Sequence, residues 1–228
     1  MKNSHISSSA VLVDALATGK VPHQAGMGRR ERRGAETRLR LFRCALQLIA
    51  ERGFPNVTVE DITEAADVGK GTFFNYFETK DHVLGVMAEI QLGKVREAAT
   101  LAAKGKQTIY SVLHELVLHL AEEPGRSPGL ARAMISSFLA SEGVRSIIER
   151  NMREGRKIVA AVVAEGQERG EIDPGLKKKV IAIQLMQSVM GTVLLWSLHE
   201  EPPLKAWIED SFQHFWRAIA LSGHEQKS

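Results

Sequence analysis

The stretch Thr58–Lys80, TVEDITEAADVGKGTFFNYFETK, constrains the fold of this 228-residue chain more than any other. It holds two short helical patterns with room between them for nothing but a tight turn. Thr58 is an N-cap residue followed three positions later by Asp61, a shortened capping box, and Val57 is placed to staple onto Ile62. This predicts a helix over 59–66, a turn at Asp67-Val68-Gly69, and a second helix over 70–77. Two short helices joined in this way form a helix-turn-helix, whose second helix can enter a DNA major groove. Ile62, Ala65 and Ala66 are expected in the seam, closed by Val68 and Phe73. Lys70, Gly71, Thr72, Phe74, Asn75 and Tyr76 are left on the outer side.

Those outer residues suit a nucleic acid. Lys70 brings charge to phosphates, and Gly71, lacking a Cβ, lets the backbone approach. Thr72 and Asn75 can bond base edges or phosphates, and Phe74 offers an apolar face to a thymine methyl. A nucleotide phosphate loop fits worse. That motif places a Ser or Thr directly after its lysine and a glycine five residues before its second glycine. Here Gly71 follows Lys70, Glu64 stands where the glycine belongs, and the preceding segment is helical rather than extended.

On the N-terminal side a helix is predicted over 35–52, with Phe42, Ala45, Leu46 and Ile49 on one face and Gly53 ending it. Seven arginines against two glutamates lie between Arg29 and Arg43. Of these, Arg29, Arg30, Arg32 and Arg33 are expected to precede the helix as a basic arm along a DNA backbone or minor groove, or else as a solvated arm without fixed contacts. On the C-terminal side Thr79 caps a longer helix that carries Val83, Leu84, Met87, Ile90 and Val95 inward.

The segment from Ala35 to Leu84 resembles the DNA-binding motif of the TetR family of transcription regulators. The matching residues are Thr58-Val59, Ile62, Ala66, Val68, Lys70-Gly71-Thr72, Tyr76-Phe77 and Lys80. The family's turn glycine is Asp67 here, its capping serine is Gly69, and its usual tyrosine is Phe74, which removes one hydroxyl. The resemblance implies that Thr58 and Lys80 hold phosphates at two helix N-termini, and that Thr72, Asn75 and Tyr76 contact DNA from the recognition helix. With Arg32 and Arg33 these form the expected DNA-binding set.

Beyond residue 100 the pattern is of longer helices, expected over 107–122, 128–141, 143–169, 174–199 and 203–221 and separated by the breaks EEPGRSPG, RGEIDPG and HEEPPL. The chain is thus expected to be all-α with about nine helices. A tail over residues 1–28 precedes a three-helix DNA-binding head over 29–80, and a larger body spans 81–228. One helix-turn-helix reads only a few base pairs, so a two-fold homodimer on a palindrome is the expected arrangement. The stripes Ile181, Leu185, Ser188, Val189, Thr192, Leu195 and Leu204, Ile208, Phe212, Phe215, Ile219 either pair two chains in a four-helix bundle, as the resemblance implies, or complete the core of one chain. The family also implies a small-molecule effector. Tyr110, His114, Met134, Phe138, Met152, Gln184, Gln187 and Trp196 are candidates to line its pocket, each with ordinary packing as the alternative.

Composition narrows the rest. A single cysteine, Cys44, excludes an intrachain disulfide and a cysteine-rich zinc site and fits a reducing cytoplasm. His114 and His119 do not share a helix face, so no metal site is expected, and no cofactor or catalytic constellation stands out. The first twenty residues imitate a signal peptide only faintly, since Asp14 breaks a short apolar run, and Met27 is a second candidate start. QLMQSVMGTVLLW is the most apolar stretch, read as a buried helix rather than a membrane span. The expectation is a cytoplasmic DNA-binding regulator and not an enzyme. The rivals are a helical ligand-binding or enzymatic protein whose head has lost DNA, and an all-α interaction protein.

Overall fold

The computed structural model describes residues 28–199 and 201–221. The expected tail, apart from Gly28, lies outside them, as does Met27. The described residues form nine α-helices: α1 (Arg29–Arg52), α2 (Val59–Ala65), α3 (Lys70–Phe74), α4 (Lys80–Lys104), α5 (Ile109–Ala121), α6 (Pro128–Ala140), α7 (Glu142–Glu168), α8 (Lys178–Trp196) and α9 (Leu204–Ile219). Single 3-10 turns at Phe54–Asn56 and Pro124–Arg126 and an isolated bridge between Ile172 and Ala220 complete the backbone, and among the described residues there is no strand. The all-α expectation holds.

The chain divides into two compact units. The first takes the residues up to Gly93 together with Ala133–Ile148, and the second takes Lys94–Arg132 and the residues from Glu149 onward. The division therefore does not fall at residue 80. Within the first unit the start of α4 is tied to the α6–α7 corner: Ser141 donates to Asp81 at 3.0 Å, and the missing Cβ of Gly85 faces Ile147 at 3.2 Å.

α1 starts six residues earlier than its apolar pattern suggests. The Gly28 amide donates to Glu31 Oε2 at 3.1 Å, Arg32 pairs with Glu36 at 3.3 Å one turn on, and Thr37 Oγ1 donates to the Arg33 carbonyl. A first-turn glutamate suits the positive end of a helix dipole. Arg29–Arg33 are thus the first turns of a helix, not an extended arm. Phe42, Ala45, Leu46 and Ile49 are buried as expected. Gly53, at φ 77°, ends the helix with its amide on the Ile49 carbonyl, a left-handed turn that favours glycine.

The α2 cap is built as the sequence predicts. Thr58 Oγ1 accepts the Asp61 amide at 3.1 Å while the Asp61 carboxylate accepts the Thr58 amide at 2.7 Å. The inner face of α2 is set one position away from expectation. Ile62, Thr63 and Ala66 are buried, whereas Ala65 is exposed and only its carbonyl turns inward, accepting from Cys44 Sγ at 3.4 Å. Thr63 is tolerated inside because its hydroxyl donates to the Glu60 carbonyl at 3.0 Å. The turn takes its positive φ, 50°, at Asp67, a residue that enters the left-handed region more easily than most. α3 is shorter than predicted and stops at Phe74 with Asn75 as its C-cap.

In the second unit α5 is capped by Thr108, whose Oγ1 accepts the Ser111 amide at 3.1 Å, and by the Glu171 carboxylate, which accepts the Ile109 amide at 2.7 Å. α9 lies against α8 and α5. Its buried side is Leu204, Ile208, Phe212, Trp216 and Ile219. Of the stripe expected to pair two chains, all but Phe215 is therefore committed to the core of one chain, and Trp216 takes the place assigned to Phe215. α8 is apolar on every side. It buries Ile181, Ala182, Leu185, Val193 and Trp196, and leaves Val180, Ile183, Leu194 and Leu195 exposed, with Leu198 exposed just past its C-terminal end. Of the stripe expected either to pair two chains or to complete one core, Ile181 and Leu185 are buried and Leu195 is exposed. By length and composition alone α8 would suffice to cross a membrane, at mean hydropathy 1.4. Of that apolar window, 28% is buried inside the unit.

Candidate nucleic-acid interface

α3 is held by its own phenylalanines. Phe73 and Phe77 are fully buried with ring centroids 5.3 Å apart, and they anchor the C-terminal end of the short helix and the segment that follows it. Phe74 stands edge-on to Phe73 at 5.5 Å and leaves 49% of its surface in solvent. Adjacent positions of one five-residue helix thus carry a core ring and a solvent-facing ring. Lys70, Gly71 and Asn75 are exposed beside Phe74, and Thr72 and Tyr76 are half-buried.

Two glycines mark this face. A Cβ built at Gly69 or at Gly71 would meet nothing within 4 Å, and neither residue has a positive φ. Neither packing nor backbone conformation within the chain asks for glycine there. At Gly71, in the first turn of α3, the consequence is a strip of bare backbone open to an outside partner.

The cations are arranged unequally. Lys70 Nζ bonds Glu60 Oε1 on the exposed surface, and that bond holds the Glu60 carboxyl below its usual range. Both side chains are more than half exposed, so the pair is easily exchanged for a phosphate. Thr58 is exposed but its hydroxyl is engaged with Asp61. Lys80 is not presented to solvent in the way the resemblance implies. Its Nζ donates to the Phe54 carbonyl at 2.7 Å and the Val57 carbonyl at 2.8 Å, and sits 4.2 Å from the centre of the Phe54 ring. Burial pushes its ammonium below the usual lysine range, with the neighbouring Asp81 opposing.

Tyr76 lies across from α1, its hydroxyl 3.4 Å from where a Cβ on Gly34 would stand. Arg29, Arg30, Arg32, Arg33, Arg40 and Arg43 are exposed along α1. Arg38 leaves the cluster altogether. It is buried with its guanidinium 5.7 Å from the Phe77 ring, and burial lowers its pKa against the opposing charge of Glu89. Sequence periodicity does signal this, because Arg38 stands four residues before Phe42 on the inner face.

The eight body residues proposed as a pocket are not brought together. Met134 and Phe138 belong to the first unit and the other six to the second. Gln184 and Gln187 are exposed, and Trp196 is buried with its indole N–H on the Pro202 carbonyl at 3.0 Å. Tyr110 and His114 do meet, stacked at 5.6 Å, alongside three α9 residues that sequence reasoning missed. Gln213 donates to the Tyr110 hydroxyl at 2.7 Å, His114 Nε2 contacts Glu209 at 2.7 Å, and Phe212 packs on both rings. Burial alone would raise the Glu209 carboxyl, but hydrogen bonds from Gln213 and His114 outweigh it and hold it low.

A depression of about 10 Å³, room for a single water-sized group, opens between α5, α8 and α9, lined by Val117, Leu185, Ser188, Val189, Ile208, Ser211 and Phe212. None of the eight is among them. Ser188 and Ser211 share a hydrogen bond at 2.7 Å, and Thr192 donates to Ser211 at 3.3 Å. Two serines 23 residues apart on separate helices gave no local signal.

Comparisons with known proteins agree with this geometry. The family described as bacterial regulatory proteins, tetR family, matches residues 41–87, which hold the helix-turn-helix and its flanks. The HTH-type transcriptional repressor DhaR of Mycobacterium sp. strain GP1 is 26% identical over 150 residues, covering 65% of this chain and 76% of DhaR. Among solved structures, SmeT, the repressor of the Stenotrophomonas maltophilia multidrug efflux pump SmeDEF, superposes with a TM-score of 0.67 at 20% identity, over 82% of this chain and 91% of SmeT. SmeT is also known as a triclosan complex. FadR from Bacillus subtilis, in complex with stearoyl-CoA, gives a TM-score of 0.61 at 20% identity over 82% of this chain and 99% of FadR.

Proposed function

We propose that this chain, which belongs to the TetR family of bacterial regulatory proteins by its helix-turn-helix head, is a cytoplasmic, ligand-responsive repressor that binds a palindromic operator as a homodimer. The observation that carries the reading is the outer face of α3. Lys70, Gly71, Phe74 and Asn75 stand exposed together, and a Cβ at Gly71 would meet no atom of the chain. A donor, a bare backbone, an apolar ring and an amide are what phosphate contact and major-groove readout require. Thr72 and Tyr76 extend the face, and Arg32 and Arg33 add charge for the flanking backbone.

The homodimer is supported by α8, whose exposed aliphatic residues form a face that a second copy would cover. The effector is proposed to be a largely apolar small molecule entering between α5, α8 and α9, with the Ser188–Ser211 hydroxyls meeting its polar group. SmeT with triclosan and FadR with stearoyl-CoA illustrate such ligands on the same fold. The pocket is smaller than the ~300–1,000 Å³ usual for drug-sized ligands, so an effector must favour an opened body. It would lower DNA affinity by its differential affinity for the two states.

The test is selection of genomic fragments by the purified protein, followed by footprinting. The expected product is a palindrome with half-sites about one helical turn apart, ~34–36 Å. Absence of any enriched sequence would favour a helical protein whose head no longer reads DNA.

A further inference from the structure

Lys80 is the position at which the structure departs most from what the head's resemblance implies. An ammonium has three N–H donors and no acceptor. Here two point at the Phe54 and Val57 carbonyls, 2.7 and 2.8 Å away, and the ammonium lies over the Phe54 ring at 4.2 Å. Two of the three donors are thus used on carbonyls, and the Phe54 ring faces the charge. Phe54 and Val57 are themselves buried, so the acceptors are fixed.

The place of these acceptors in the chain gives the contact its meaning. Val57 immediately precedes Thr58, the N-cap of α2, while Lys80 is the first residue of α4. The two bonds therefore join residues 23 and 26 apart in sequence and close a loop that contains all of α2, the turn and α3. α3 itself spans five residues, too few to hold a direction unaided. Buried Phe73 seats it on the core, and its direction also follows from where α2 begins and where α4 begins, which Lys80 fastens one to the other.

We infer that Lys80 is a positioning residue that sets the orientation of the reading helix by clamping the entry of α2 to the start of α4, and not a phosphate ligand. The inference rests on the reading of α3 as the DNA-contacting helix. It also predicts an asymmetry between two lysines of the same motif: Lys70, on an exchangeable surface pair, supplies the phosphate contact, and Lys80 supplies geometry.

The experiment compares wild type, Lys70→Met and Lys80→Met by fluorescence anisotropy on the selected operator and on an unrelated duplex, across a salt series, at a temperature where circular dichroism shows each protein fully folded. Each phosphate contact contributes about 0.9 to the slope of log affinity against log salt. Lys70→Met is expected to lower the slope by that amount for each head. Lys80→Met is expected to keep the wild-type slope while operator affinity falls about tenfold, the equivalent of one lost base-edge contact, and affinity for the unrelated duplex barely changes.

A slope reduced in Lys80→Met as in Lys70→Met would overturn the inference, because it would make Lys80 a phosphate ligand. Unchanged operator affinity in the folded variant would also overturn it, leaving a role in stability alone. Should Lys80→Met fail to fold, reductive methylation of the wild type decides: Lys80 must resist modification equally with and without operator, and protection that appears only with operator refutes the clamp. Failure of the wild type to bind any operator would instead refute the function on which the inference rests.

Discussion

α3 and α8 both leave apolar side chains in water, and they do so in opposite ways. α3 exposes a single ring, Phe74, among a lysine, a glycine and an asparagine. α8 exposes four aliphatic side chains, and Leu198 just past its end adds a fifth, on a helix whose other side is already buried. An isolated apolar group among donors and bare backbone fits a groove whose floor alternates polar edges and methyl groups. Several aliphatic side chains spread along one helix, with only Gln184 and Gln187 exposed among them, have no such partner in DNA and fit a second protein surface. The difference in pattern, more than the amount of exposed apolar surface, separates the two kinds of partner.

The sharpest way to break this contrast is to charge the α8 face. Leu194→Asp combined with Leu198→Asp should leave the fold intact, since both side chains are exposed, and yield a monomer in sedimentation equilibrium. Operator affinity should then fall by roughly 10²–10⁴, the loss expected when two linked contacts become one. A monomer that retained wild-type affinity would remove the dimer from the account.

The second comparison sits inside α3. Phe73→Ala removes a fully buried ring and should destabilise the protein by about 3–5 kcal/mol in denaturant titration. Phe74→Ala, one residue on, should change stability by no more than about 0.5 kcal/mol and reduce operator affinity about tenfold. Equal effects of the two substitutions on stability would mean that Phe74 is a core residue after all.

Smaller effects test the cap and the turn that aim α3. Hydrogen bonds from the Thr58 hydroxyl and amide hold the Asp61 carboxyl below its ordinary value, with Arg52 adding to them. A carboxyl depressed in the folded state stabilises fully above its unfolded pKa and ceases to do so as pH falls through the folded value. The wild type should therefore lose melting temperature more steeply than Asp61→Asn below about pH 4, and the two curves should run parallel above it. At the turn, Asp67→Gly relieves a left-handed residue and should raise stability by up to about 1 kcal/mol without altering operator affinity.

The legible parts of this molecule were those governed by neighbours in sequence. The Thr58–Asp61 cap, the turn at Asp67, the inner face of α1 and the inward residues of α4 each follow from spacing alone. The start of α1 was missed because its apolar pattern fades before Arg38, while the helix continues on charge pairs between Arg32 and Glu36 and on the Glu31 cap. Ala65 and Thr63 were exchanged because a helix of seven residues carries too few apolar positions to fix its rotation. The bonds of Lys80 were illegible for a different reason: its partners are backbone carbonyls, which leave no signature in side-chain identity. The faces of α8 were illegible because a helix apolar all round has no periodicity to read. The body pocket was not found because it is made by residues on three helices that only the tertiary packing brings together.

Gly71 offers the most direct test of the central claim that the outer face of α3 reads DNA. Its Cβ would meet no atom of the protein, and alanine in place of glycine within a helix stabilises by roughly 0.5–1 kcal/mol. The measurement is the melting temperature and operator affinity of Gly71→Ala beside the wild type. The account predicts a melting temperature equal or higher together with a loss of operator affinity of about tenfold or more. A variant as stable as the wild type that binds the operator just as tightly would contradict it.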